Sequence, residues 1–146
     1  MTTVEVSAEI AAPPERVWSV TSDPRNLPHW DKHLVAIRLP EKGLERGARY
    51  EVVMRFMAVR ARVRAEIVEW EPPWRSQIRL VGLLDATVTT SIASLPFERS
   101  LLRHEVSYRF RGPFGSLGAK SLAAVGGPQL ALKRGLAAQK REIESG

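Results

Sequence analysis

The chain has 146 residues, 44% of them apolar, and no cysteine; one folded domain over residues 1–146 is expected, and disorder, a disulfide framework and thiolate metal sites are excluded. Its formal charge is +6, from 22 Lys and Arg against 16 Asp and Glu, but the basic residues are scattered as on solvated faces, with no Lys/Arg block interleaved with aromatics. No apolar run approaches the ~20 residues of a membrane-spanning helix, and the opening from Met1 to Glu5 lacks the basic and apolar regions of a signal peptide, so a cytoplasmic location without stable membrane insertion is expected.

Val4, Val6, Ala8 and Ile10 alternate with Glu5, Ser7 and Glu9, which predicts a strand with one apolar face. Ala12-Pro13-Pro14 stops it. Pro14 and Glu15 suit a first helical turn, where a missing N–H costs little and a negative charge meets the positive helix end. A short helix follows through Val17, Trp18 and Val20. Ser22 or Asp23 caps a second one, with Pro24 in its first turn, ending around Pro28-His29-Trp30.

A run of strands comes next. Leu34 to Leu39 is short, and a polar turn from Glu41 to Gly47 separates it from Ala48 to Met57, where Tyr50, Val52, Met54 and Phe56 share a face. From Ala58 to Trp70, Val59, Ala61, Val63, Ala65 and Ile67 oppose Arg60, Arg62, Arg64 and Glu66. The sheet therefore has one buried face and one wet face with an arginine row. The alternation slips near Val68-Glu69-Trp70, the mark of a bulge. After the turn Glu71-Pro72-Pro73, Trp74 to Val81 puts Ile78 and Leu80 on the apolar face. Ala86 to Ser94 is a strand whose threonines and serine leave its inner face open, and Leu95 to Glu98 is a loop. In Leu101 to Arg111, Leu102, His104, Val106, Tyr108 and Phe110 oppose Arg103, Glu105, Ser107 and Arg109. From Gly115 to Glu144 the pattern is helical, ~45 Å long at 1.5 Å per residue. Gly126-Gly127-Pro128 interrupts it, so a kink or break is expected near Val125.

Three stretches carry a family likeness: Ala11 to Trp18 with Asp23-Pro24 and Trp30 downstream, Val68 to Pro73, and Leu102 to Tyr108 leading into the final helix. With them the chain resembles the START-related helix-grip (SRPBCC) superfamily, in its polyketide cyclase/dehydrase and lipid-transport branch. The resemblance implies an α+β fold in which a seven-stranded antiparallel sheet curls around a long C-terminal helix, with two short helices after the first strand. It also implies a cavity between sheet and helix for a lipophilic or aromatic molecule. It brings no universal catalytic motif and no cofactor, and fold alone does not give function.

The size of such a cavity argues for an occupant. Ligand cavities run to ~300–1,000 Å³, and at ~24 cal/mol per Å³ an empty one of the smaller size costs ~7 kcal/mol, against a total stability of about 5–15 kcal/mol. The expected wall begins with Trp30, Tyr50, Val52, Met54 and Phe56. It continues through Val63, Ile78, Leu80, Val106 and Tyr108, with Leu122 and Val125 on the helix. His104 lies on the same apolar face; it reads either as a general acid or base, with Tyr108 orienting a carbonyl, or as a buried histidine satisfied by a nearby hydroxyl.

Other patterns point to less. His29, Asp31 and His33 have metal-ligand spacing but sit in a helix-to-strand corner without a further carboxylate cluster, so no metal is expected. Arg60, Arg62 and Arg64 read as a solvated face without stacking aromatics, so no nucleic-acid partner is expected. Gly112 to Gly118 has no P-loop ending and reads as a lip before the long helix. The first functional reading is a carrier or binder of a lipophilic small molecule. The second is an aromatase/cyclase-type enzyme using His104 and Tyr108, and the third a partner-binding protein acting on a quinone carrier or a ribosomal surface. The exposed sheet edges fit either a monomer or a homodimer.

Overall fold

A computed structural model describes residues 2–29, 34–39, 43–56, 59–82, 84–110 and 127–146. The elements are β1 (Thr2–Ile10), α1 (Pro14–Thr21), a 3₁₀ helix (Pro24–His29), β2 (Leu34–Arg38), β3 (Arg49–Phe56), β4 (Val59–Glu71), β5 (Arg75–Gly82), β6 (Leu84–Leu95), β7 (Arg99–Phe110) and α2 (Gly127–Ser145). The strands form one curled antiparallel sheet in the order β1-β7-β6-β5-β4-β3-β2, and β1 and β2 are its edges. The helix-grip reading holds.

Local chemistry explains the first corner. Pro13 is extended, Pro14 opens α1, and the Ser22 N–H closes it on the Trp18 carbonyl at 2.9 Å. The second short helix is present, as a 3₁₀ helix. Pro28 lies four residues after Pro24 and has no N–H to give its carbonyl, so the α-helical bond at that step is impossible. The Asp23 cap is present: Asp23 Oδ1 accepts the Arg25 N–H at 3.0 Å.

Alternation then decides which face of each strand is buried. Tyr50, Val52 and Met54 of β3 lie inside with Val63, Ala65 and Ile67 of β4, while Arg62 and Arg64 point out. Pairing between β4 and β5 skips a residue between Ile67 and Glu69, the expected bulge at Val68. It keeps the outward Glu69 opposite the outward Gln77. The last helix is described from Gly127, with Pro128 in its first turn, where a proline costs nothing. Its 19 residues span ~28 Å. The expected start at Gly115, the break near Val125 and the Gly112–Gly118 lip lie outside the described residues.

Helix α2 is fastened to β1 and α1. Leu136 and Ile143 are buried with Val6, Ile10, Ala12, Val17, Ile92 and Leu102, and Leu132 packs against them. Polar bonds run along the same seam. Gln129 Nε2 donates to the Glu5 carbonyl at 3.0 Å, Lys140 Nζ to the Glu9 carbonyl at 2.6 Å, and Ala11 N–H to Glu144 Oε2 at 2.8 Å. Arg16 Nε donates to the Ile143 carbonyl at 3.0 Å, placing a cation at the negative end of the helix.

Two backbones come close at Gly82, which is paired with Val63. A Cβ there would stand 2.7 Å from the Arg62 carbonyl oxygen. Gly82→Ala is therefore expected to lower stability by about 1–3 kcal/mol, the usual range for forcing extra atoms into packed structure. Urea unfolding of the two proteins measures it, and an unchanged midpoint would contradict the register.

Candidate functional site

The buried face of the sheet carries two apolar clusters. One is the α2 seam. The other joins Tyr50, Val52 and Met54 to Val63, Ala65, Ile67 and Ala86, and Ile37, Ile78, Leu80, Trp70 and Tyr108 pack against it. Among the described residues, no α2 side chain belongs to this second cluster. The clusters meet where Trp18 of α1 stands edge-on to Trp70 of β4, with ring centroids 4.8 Å apart and planes at 65°, a geometry aromatic pairs favour.

The expected wall residues distribute as follows. Tyr50, Val52, Met54 and Val63 are buried in the second cluster, and Ile78, Leu80 and Tyr108 are half-buried against it. Val106 is half-buried, pairs with Val4 and Val88, and belongs to neither cluster. Trp30, Leu122 and Val125 lie outside the described residues, as do the side chain of Phe56 and the Asp31 and His33 members of the metal-like cluster. Burial pushes the Tyr50 phenol up to about 12.

His104 sits between strand and helix. Its Nδ1 is 2.9 Å from Thr90 Oγ1 on β6, and its Nε2 is 2.6 Å from Gln139 Oε1 on α2. All three residues are buried. The simplest proton arrangement has Nε2–H donating to the Gln139 oxygen and the Thr90 hydroxyl donating to Nδ1, so the ring is neutral. Burial pulls the His104 pKa below its ordinary 6.5, and the bond to Gln139 opposes that shift. With both nitrogens held, proton transfer to a ligand requires one of these bonds to open. Sequence reasoning missed Gln139, although it falls on the helical stripe Leu132, Leu136, Gln139, Ile143. A polar residue on an apolar stripe is the signal for such a partner.

A separate groove of about 400 Å³ opens at the β1 edge. Val6, Ala8, Leu136 and Ala137 line it, and Lys133 and Lys140 stand on its walls. None of the expected wall residues contributes to it. Among the described residues no group of His, Asp and Glu is arranged to hold a metal, and no described helix is long and apolar enough to cross a membrane.

The family model described as "Polyketide cyclase / dehydrase and lipid transport" matches residues 1–144. No curated protein is a significant sequence match. Among solved structures, DR_A0006 from Deinococcus radiodurans is similar with a TM-score of 0.75 at 21% identity, over 99% of this chain and 98% of its own. TTHA0849 from Thermus thermophilus is similar with a TM-score of 0.74, also at 21% identity, over 99% and 98%. The structure of Ara h 8.0201 covers 99% of each chain at 15% identity with a TM-score of 0.68. These likenesses establish the fold alone.

The His104 geometry predicts a pH dependence. Unfolded, the imidazole takes up a proton as pH falls below its ordinary 6.5; folded, it resists until its lowered pKa is reached. Its contribution is therefore complete above pH 6.5 and is lost as pH falls below that value, at no more than ~1.4 kcal/mol per pH unit for one proton. Urea midpoints at a series of pH values from 7.5 downward measure this. His104→Asn is expected to be less stable overall but to lose this part of the slope; an identical slope in both proteins would contradict the assignment.

Proposed function

The chain belongs to the polyketide cyclase/dehydrase and lipid-transport family, and from that membership we propose that it binds a lipophilic or aromatic small molecule between the curled sheet and the C-terminal helix. The observation that carries this reading is the second apolar cluster. It runs from Tyr50, Val52 and Met54 to Val63, Ala65 and Ile67, and the described part of α2 gives no side chain to it. An apolar wall to which the described part of α2 gives no side chain suits a ligand of matching chemistry, because each buried CH₂ is worth about 0.8 kcal/mol. Tyr50 and Tyr108 add phenol groups able to orient one polar atom of that ligand. His104, tied to Thr90 and Gln139, holds sheet and helix together beside the site.

Ala65 gives a test. It is buried opposite Tyr50 on β3 and Leu80 on β5. Ala65→Phe puts a ring where the ligand is expected, at an overpacking cost of about 1–3 kcal/mol. The native protein should enhance the fluorescence of an apolar naphthalene dye, long-chain fatty acids or fused-ring aromatics should displace the dye, and Ala65→Phe should weaken dye binding about tenfold or more (about 1.4 kcal/mol per tenfold) while still unfolding cooperatively. Equal dye binding by both proteins, or none by the native one, would reject the interior site.

A further inference from the structure

The positive charge is not spread evenly over the outer face of the sheet. On the β1/β7 side the arginines have carboxylate partners: Arg99 reaches Glu9 at 3.1 Å, Arg103 reaches Glu5 at 2.6 Å, and Arg109 reaches Asp85 at 3.6 Å. On the β2–β5 side the pattern changes. Arg38, Arg60, Arg64 and Arg79 are exposed, and none has a carboxylate partner among the described residues. The pairs that do form there include long ones, Arg62 to Glu51 at 3.8 Å and Arg49 to Glu66 at 3.9 Å. Arg55 stands directly across from Arg60, and like charges in that position destabilise a sheet. Glu51 stands opposite both Arg38 and Arg64, and Glu66 opposite both Arg49 and Arg79, so two carboxylates are shared among more arginines than they can pair, and the excess positive charge suits an external anion.

We propose that the outer face of β2–β5 docks reversibly on an anionic lipid bilayer. The layout favours a bilayer over a nucleic acid. Arg60 to Arg64 spans ~13 Å along β4, and Arg38 and Arg79 lie three strands apart, ~14 Å across the sheet. The cations therefore cover a two-dimensional, outward-curving field with no groove to track a single phosphate backbone. None of the described outward-facing residues of β2–β5 is aromatic, so nothing there stacks a base. Lipid headgroups diffuse laterally and can gather under any arrangement of guanidinium groups, each of which takes phosphate oxygens in pairs. The contact is electrostatic and peripheral, and it does not depend on what the interior binds.

Vesicle sedimentation tests this with the full chain. Phosphatidylcholine vesicles containing roughly one-third phosphatidylserine should retain the protein, whereas pure phosphatidylcholine should not, since each surface-bound arginine is worth about fivefold in partition. Raising salt to about 1 M, where the screening length is ~3 Å, should release it. The double variant R60Q/R64Q should lose about tenfold or more in partition. Arg134→Gln with Arg141→Gln, which removes the same charge from the exposed side of α2, should change it little. Equal losses in the two double variants would show that net charge alone drives binding and would overturn the assigned face. Failure to bind the anionic vesicles would overturn it as well, and retention on a duplex RNA in the same buffer would then redirect the arginines to nucleic acid. Matching thermal unfolding of both variants and the native chain excludes a folding defect.

Discussion

The seam between α2 and the edge strand β1 organises the fold. An edge strand turns every second N–H and C=O away from its sheet, and those groups need partners. Here the carbonyls of Glu5 and Glu9 receive Gln129 and Lys140 from the helix, and Glu144 takes the N–H of Ala11 just past the strand. Glu144 sits below the usual carboxylate range because it accepts that backbone N–H and the Lys140 ammonium. Arg16 closes the far end of the helix. The long helix is thus pinned along one margin of the sheet, and its apolar stripe is committed to β1 and α1.

That commitment divides the interior. Leu136 and Ile143 complete the cluster on Val6, Ile10 and Leu102. The wall on β3 and β4 is a second cluster, joined to the first by the Trp18–Trp70 contact. Thr90, His104 and Gln139 draw β6, β7 and α2 together through a buried polar chain. Such a chain is stable only when every member is satisfied, and among the described residues no buried side-chain nitrogen or oxygen lacks a partner. The same chain that fixes the helix gives the protein a histidine resistant to protonation.

Much of this was legible in the sequence because period-two alternation is a strong signal. Tyr50 to Met54 and Val63 to Ile67 could be assigned to one face without coordinates, and the slip at Val68 marked a real bulge. The second short helix was legible from its cap residue Asp23, and its 3₁₀ form from the Pro24–Pro28 spacing. Of the surroundings of His104, the burial and a hydroxyl partner were legible, and Thr90 supplies that hydroxyl; which residues would meet the ring was not. Its partners lie 14 and 35 residues away in sequence, on different elements, and only the docking of α2 brings Gln139 into place. Charge pairing was hidden for a similar reason. Glu51 is directly opposite Arg64 in the register but reaches Arg62 on the diagonal, so a row of arginines in the sequence does not reveal which of them remain unpaired.

The central proposal is that a lipophilic molecule binds against the β3–β4 wall. Native mass spectrometry of the protein purified from its source weighs that claim directly. The account predicts a population heavier than the 16.3 kDa chain by one small organic molecule, which organic solvent extracts and which rebinds on return. A bare chain mass in every preparation, with no uptake when lipids and aromatic compounds are supplied, would contradict it.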